Sequence, residues 1–386
     1  MAEIVYPFRT PEVVFLGVGA VDRLGSEARR FGATRALIVT DKGVAGAGIA
    51  ERAQRILAEA EIAATIYDET KAEPDFENVD HCLDVARSAD VGLLVGLGGG
   101  SSLDLAKGVA AMMTNPGKLI DYYGTDKLTR PALPIIALPT TAGTGSEATP
   151  NAIFTDHVEK LKKGVVSPYI LPRVAIVDPE LTLTTPMRVT AATGMDALTH
   201  AVESYTSRKA TVQSELYSLE AIRRIAPSLR TAVYDGANLE ARREMAIGSF
   251  LAGVAIANAG TAAVHAMAYP LGGQFGVPHG VSNALLMPYV LDQNMLGNLQ
   301  RFAVVAEAMG EVTDGLSLRD AAQAGVDAIR QLSQDVGIPQ RMRDVGVPRE
   351  AIPGMAAAAI QITRLMDNNP RKLSQDDVQR IYEAAW

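Results

Sequence analysis

Between residues 35 and 140 the chain alternates short, wholly apolar runs with stretches of helical periodicity, and this alternation constrains the fold more than any other feature. RALIVTD ends one such run at Asp41, IAATIYDE is the next, VGLLVGLGGG the third and PIIALPTT the fourth. Helix-length segments lie between them, from Val44 to Ala60, from Phe76 to Ser88 and from about Ser102 onward. Strand-like runs joined by helices require crossover connections, and so a parallel sheet. The runs lack the apolar–polar alternation of a half-exposed strand, which predicts that both faces of the sheet are covered. Upstream, a strand is expected at Val13–Leu16, then a turn at Gly17 and Gly19, then a helix from Ala20 to Arg30.

Residues 147–178 break this rhythm. NAIFTDHVEKLKKGVVS reads as a hairpin, and RVAIVD as another strand closed by Asp178 and Pro179. After Pro186 an Ala-rich periodicity of 3.6 residues takes over, predicting helices over 187–207, 213–230, 238–257, 262–274, 281–294, 298–309, 317–335 and 375–384, with no strand. The expected fold class is therefore an α/β half with a Rossmann-like parallel sheet, residues 1–184, joined to an all-helical half, residues 185–386, with a cleft between them. A length of 386 residues suits two or three domains, and 48% apolar with 21% charged residues suits large cores.

The net charge of −8 and the absence of a basic run argue against nucleic acid or an anionic membrane as partner. A single cysteine, Cys82, excludes a disulfide framework and a thiolate metal site. The N-terminal MAEIVYPFRTPEVVF lacks the pattern of a secretory signal, and no segment has the length and apolarity of a membrane span. A cytoplasmic location is expected.

Function is most legible at AATGMDALTHAVESY, Ala191 to Tyr205. Asp196 and His200 stand four positions apart among apolar residues at helical spacing, Met195, Leu198, Val202 and Tyr205. On a helix such positions share one face about 6 Å apart. VHAMAYPLGGQFGVPHGVSN adds His265 and His279, so three of the chain's five histidines fall in these two stretches. Any one of them alone reads as a surface group or a hydrogen-bonded core group. An ionised Asp beside histidines in apolar segments is costly to bury without a positive partner, which a divalent cation would supply. From spacing alone, a metal site and a satisfied polar cluster both stay open.

Gly98, Gly99, Gly100, Ser101 and Ser102 end the third run and open a helix, and the helix start offers unpaired N–H groups to a pyrophosphate. The stretch does not match GxGxxG, and a plain tight turn is the alternative reading. Thr140, Thr141, Gly143, Thr144 and Gly145 follow the next run. Polar groups at two carboxyl ends of one parallel sheet define a ligand crevice. Asp41, at an earlier strand end, suits a ribose 2′-hydroxyl and repels a 2′-phosphate, favouring NAD over NADP; alternatively it caps the helix that follows.

Together GGGSSLDLAK, ALPTTAGTGSE, AATGMDALTHAVESY and HAMAYPLGGQFGVPHGVSNALLMPYV resemble the iron-containing (group III) alcohol dehydrogenase family over essentially the whole chain. The resemblance implies a dinucleotide-binding N-terminal domain, a helical C-terminal domain and a metal held by one Asp and three His, here Asp196, His200, His265 and His279. It implies cofactor contacts from Asp41, Gly98, Gly99, Gly100, Ser101, Asp104, Thr140, Thr141 and Thr144, and from Asn151 and Lys162 of the hairpin. Lys162 would meet the ribose on the nicotinamide side, although as sequence it is one of a run of charges. Two positions depart from the common pattern. Tyr269 stands where many members carry a second histidine, near substrate and nicotinamide, and a phenol is no base near neutral pH. Glu73 stands where many carry Asn.

The implied reaction is reversible hydride transfer between a small alcohol and NAD, with the metal polarising the substrate oxygen. The ligand set suits Fe(II) first, then Zn(II) or Mn(II). The resemblance also implies a homodimer through the N-terminal strand, or a larger homo-oligomer. Competing readings are a maleylacetate-reductase-like or hydroxyacid-oxoacid transhydrogenase-like oxidoreductase. More remote is a dehydroquinate-synthase-like lyase, whose phosphate and carboxylate would call for more Lys and Arg than these segments hold. Val254, Met267, Phe275 and Val277, apolar neighbours of the ligands in sequence, point to a small uncharged substrate.

Overall fold

The computed structural model describes residues 5–157, 159 and 161–386. The chain divides into two compact units, Thr10–Thr185 and Pro186–Trp386, with residues 5–9 belonging to the second.

In the first unit, β1 (Val13–Leu16), β2 (Arg35–Val39), β3 (Ala63–Tyr67), β4 (Leu93–Gly98), β6 (Ile135–Pro139) and β9 (Val174–Val177) form one parallel sheet in the order β1-β9-β6-β4-β2-β3. A second sheet joins β5 (Gly124–Thr125) to the antiparallel pair β7 (Asn151–Asp156) and β8 (Leu161–Val166). The hairpin read from NAIFTDHVEKLKKGVVS is thus present; Val158 and Lys160 lie outside the described residues.

Continuous apolarity in the strands is explained by cover on both faces. Ala36 and Ile38 of β2 pack with Leu24 and Leu57, whereas Leu37 and Val39 pack with Val79, Leu83, Leu105 and Phe154 on the opposite face. Burying each large side chain contributes about 1.5–3 kcal/mol. The layers are α1 (Leu24–Arg30), α2 (Lys42–Gly46) and α3 (Ile49–Glu59), then α4 (Phe76–Ser88) and α5 (Gly100–Met112). The helix expected from Ala20 opens as a 3₁₀ turn, Ala20–Arg23, before α1. The single helix expected from Val44 to Ala60 is two, α2 and α3, because the Asp41 side chain accepts from the Gly43 and Val44 N–H groups and starts a helix early, which then breaks at Ala47 and Gly48. Cys82 is a buried core thiol, raised in pKa by burial, and no nucleophile.

The second unit consists of α6 (Met187–Thr206), α7 (Val212–Tyr234), α8 (Leu239–Ala259), α9 (Ala263–Phe275), α10 (His279–Asn294), α11 (Leu299–Met309), α12 (Leu318–Asp335), α13 (Ile352–Ile360), α14 (Thr363–Met366) and α15 (Gln375–Ala385). It contains no strand among the described residues. Helices α13 and α14 are absent from the expected set: Pro353 and Gly354 look like breakers in sequence, yet proline is tolerated in a helix's first turn. The start of the chain packs here too. Asn258 accepts from the Arg9 N–H at 2.7 Å and donates to the Arg9 carbonyl at 2.8 Å, and Phe8 stacks on Tyr217. Val254 and Met267 are core residues with no open surface, so neither supports the small-substrate reading. No single described helix is long and apolar enough to cross a membrane; α8 and α9 pass that test only as a pair bent by 103°.

Candidate active site

Three helices of the second unit bring their polar residues to one point. Asp196 and His200 lie one turn apart on the buried face of α6, His265 in the first turn of α9, and His279 opens α10. Helix α10 starts hard against α6: a Cβ on Gly280 would lie 2.6 Å from the Ala192 carbonyl oxygen, so only glycine allows this approach.

From Asp196 Oδ1 the Nε2 atoms of His265, His200 and His279 lie at 3.7, 3.9 and 4.0 Å. Asp196, His265 and His279 each place a ligand atom within 4.8 Å of the others. His200 stacks its ring on His265, centroids 4.7 Å apart, and His265 meets His279 edge-on at 5.4 Å. Asp196 is buried, and burial alone would raise its pKa. The three imidazoles and the Asn283 amide, which donates at 2.7 Å, outweigh burial and hold the carboxyl below its usual range. The buried Nε2 of His265 has no hydrogen-bond partner. A buried nitrogen left unpaired beside a carboxylate is expensive unless it has a ligand role. Three imidazoles and one carboxylate form a donor set that a divalent first-row metal fits.

Tyr269 lies one turn beyond His265 on α9, nearly buried, its ring centroid 6.3 Å from that of His279, and it packs with Ala266 and Leu365. A further residue, absent from the sequence expectations, is Glu203. It lies on the same α6 face, seven positions after Asp196, and accepts from His265 Nδ1 at 2.6 Å. Its signal was available in AVESY: a charged residue at i+7 on a stripe that is otherwise buried.

In the first unit, Asp41, the glycine-rich turn and the threonine turn follow β2, β4 and β6, which are neighbours in the sheet, so all three sit at carboxyl ends where open parallel sheets bind ligands. Asp41 performs its capping role through Oδ1, at 2.8 Å from Gly43 N and 3.1 Å from Val44 N; its Oδ2 faces the turn at Gly98. Gly99 caps α5 and Gly100 begins it. A Cβ on Gly100 would lie 2.6 Å from the Thr144 side chain, so the two turns interlock. A Cβ on Gly99 would meet Thr141 only at an ordinary contact distance of 3.5 Å, and the Thr140 N–H donates to the Gly98 carbonyl at 2.9 Å.

Other expected contacts are engaged within the protein. The Ser101 hydroxyl donates to the Ala72 carbonyl at 2.6 Å. Asp104 accepts from Ser146 Oγ on one oxygen and from Ile153 N on the other. The Asn151 carbonyl accepts from Lys107 Nζ at 2.7 Å. Lys162 Nζ pairs with Glu73 Oε2 at 2.6 Å.

Two family models cover nearly the whole chain: residues 11–179 match that of iron-containing alcohol dehydrogenase, and residues 190–386 that of the Fe-containing alcohol dehydrogenase family, C-terminal. The chain is 42% identical to 1,3-propanediol dehydrogenase of Citrobacter freundii, covering 100% of both chains. It is 37% identical to lactaldehyde reductase of Escherichia coli (strain K12), over 97% of this chain and 98% of that one. Among solved structures, 1,3-propanediol oxidoreductase superposes with a TM-score of 0.97 at 42% identity, over 99% of this chain and 100% of the other.

Proposed function

We propose, from the premise that this chain belongs to the iron-containing alcohol dehydrogenase family, that it is an NAD-dependent alcohol dehydrogenase and aldehyde reductase acting on small, uncharged substrates. The observation that carries the reading is the group Asp196, His265 and His279, whose ligand atoms lie within 4.8 Å of one another, with His200 Nε2 3.9 Å from the same Asp196 oxygen. These four would hold the metal, Fe(II) first, with Zn(II) or Mn(II) compatible with the same donors. When bound, such an ion supplies a Lewis acid that polarises a carbonyl or hydroxyl oxygen, and NAD supplies the hydride acceptor or donor.

The remaining work falls to this chain's own residues. The α5 N-terminus, with Gly99 and Gly100 in its first positions, offers backbone N–H groups to a pyrophosphate, and the absence of a Cβ on Gly100 keeps Thr144 against it. Asp41 Oδ2 would accept from the adenosine ribose. Thr140, Thr141, Asn151 and Lys162 would position the nicotinamide half, with Lys162 held by Glu73 until a ribose is present. Asn283 and the imidazoles keep Asp196 ionised at neutral pH, ready to act as an anionic ligand. Tyr269 would wall the substrate side beside His279, as a hydrogen-bond donor and not a base.

The chain is further read as a cytoplasmic homodimer, or a larger homo-oligomer, built through β1. This strand pairs with β9 on one side and ends the sheet order, leaving an edge that another strand could extend.

The test is a panel of short aldehydes and 2-oxoacids with NADH, on protein whose metal content has been measured. Oxidation of NADH with small aldehydes, in proportion to bound metal, is expected. Turnover confined to oxoacids, or independent of metal, would overturn the assignment.

A further inference from the structure

Glu203 accepts three N–H groups from the start of α9: Ala262 N at 3.0 Å and His265 Nδ1 at 2.6 Å on Oε2, and Val264 N at 2.6 Å on Oε1. The side chain is 2% exposed. A buried carboxylate is costly unless fully hydrogen-bonded, and the first N–H groups of a helix, with the positive end of its dipole, are favourable partners for one. Glu203 is therefore the N-terminal cap of α9, supplied from another helix.

The third bond has a chemical consequence. Both Glu203 oxygens already serve as acceptors for backbone N–H groups, so His265 Nδ1 is the donor to Oε2 and Nε2 keeps its lone pair. Nε2 is the buried atom without a hydrogen bond, 3.7 Å from Asp196 Oδ1. One carboxylate thus selects the tautomer, fixes the ring's rotation and ties both to the backbone where α9 begins. We propose that Glu203 is the positioning residue of the metal centre, acting through His265 and not as a ligand, so that metal affinity depends on it. This rests on the reading of Asp196, His200, His265 and His279 as metal ligands. Partners of this kind characteristically change metal affinity 10–100-fold when lost.

The test is Glu203→Gln in the full chain, stripped of metal and titrated with Zn(II) by calorimetry, with the Co(II) absorption spectrum as a second readout and the thermal midpoint of the stripped protein as a third. Glutamine keeps the shape but turns an NH₂ toward one of the donor groups. Zn(II) binding weaker by about 10–100-fold and an altered Co(II) spectrum are expected, in a protein that still unfolds cooperatively. Wild-type affinity with a wild-type Co(II) spectrum would overturn the proposal and leave Glu203 as a helix cap only. If the Gln variant does not fold, Glu203→Asp is titrated in its place, with weakened binding supporting the proposal and unchanged binding overturning it. A wild-type chain that takes up no Zn(II) or Co(II) would remove the ligand reading itself, and this proposal with it.

Discussion

Lys107 Nζ lies 2.6 Å from Ser146 Oγ, binding the middle of α5 to the turn after β6 across 39 positions of sequence. The same ammonium reaches the Asn151 carbonyl, Thr149 Oγ1 and Asp104 Oδ1, and Asp104 in turn holds Ser146 and the Ile153 N–H. Lys107 is fully buried. The pair thus ties the helix that opens at the glycine-rich turn to the threonine turn and to the first strand of the hairpin. Removing one partner of a buried ion pair strands the other, at about 3–5 kcal/mol. Lys107→Met is expected to lose stability on that scale in urea unfolding, and Lys107→Met combined with Asp104→Asn to lose less than the sum of the two single changes. Additive losses would mean that the two side chains act separately.

If the proposed metal centre is right, His265→Ala is expected to abolish bound metal and alcohol oxidation together, because it deletes the candidate ligand atom nearest Asp196 Oδ1 among the three imidazoles. Metal analysis alongside initial rates checks this. Full activity in a metal-free His265→Ala protein would exclude a metal-assisted reaction.

Asp41 serves the fold and, in the proposed reading, the cofactor as well, with one oxygen for each role. Oδ1 caps α2, worth about 1 kcal/mol, while Oδ2 faces the glycine-rich turn. The wild type should prefer NADH to NADPH in kcat/KM. Asp41→Ser retains a capping oxygen but removes the negative charge. It is expected to narrow that preference by about tenfold or more, the equivalent of 1.4 kcal/mol, at nearly unchanged thermal stability. An equal preference before and after the substitution would assign the discrimination to other residues.

Elements whose evidence is local were legible in the sequence: the apolar runs of β2, β4 and β6, the Asp196 and His200 pair one turn apart, and the glycines at the head of α5. Features set by distant neighbours were not. Glu203 reads as one more polar residue on α6 until α9 is seen to begin on top of it. Asp104 and Lys107 look like an ordinary i,i+3 pair on a helix surface, but their partners are 39 to 49 positions away. Strand β5 is two residues long and has no periodicity to detect; only its pairing with β8 defines it. The helix expected from Val44 to Ala60 failed for a local reason that was available, the capping carboxylate of Asp41, which moves the start back to Lys42.

Glu147 gives the chain a pH signature in its stability. Burial pushes its carboxyl up to about 7, against the smaller opposing effects of its own backbone N–H and the Lys107 ammonium. A folded-state pKa above the unfolded value means that the native protein binds the extra proton between the two. The stabilisation is then complete below the ordinary value, 4.5, and is lost progressively as pH rises from there to about 7. The loss for this one group is about 3 kcal/mol, from 1.36 kcal/mol per pKa unit. Glu147→Gln stays neutral at every pH and cannot lose it. Urea unfolding of both proteins at pH 5 and pH 8 is expected to show the variant gaining on the wild type at the higher pH by up to that amount. A constant difference between the two proteins across this window would mean that Glu147 is ionised in the folded state throughout, held so by Lys107.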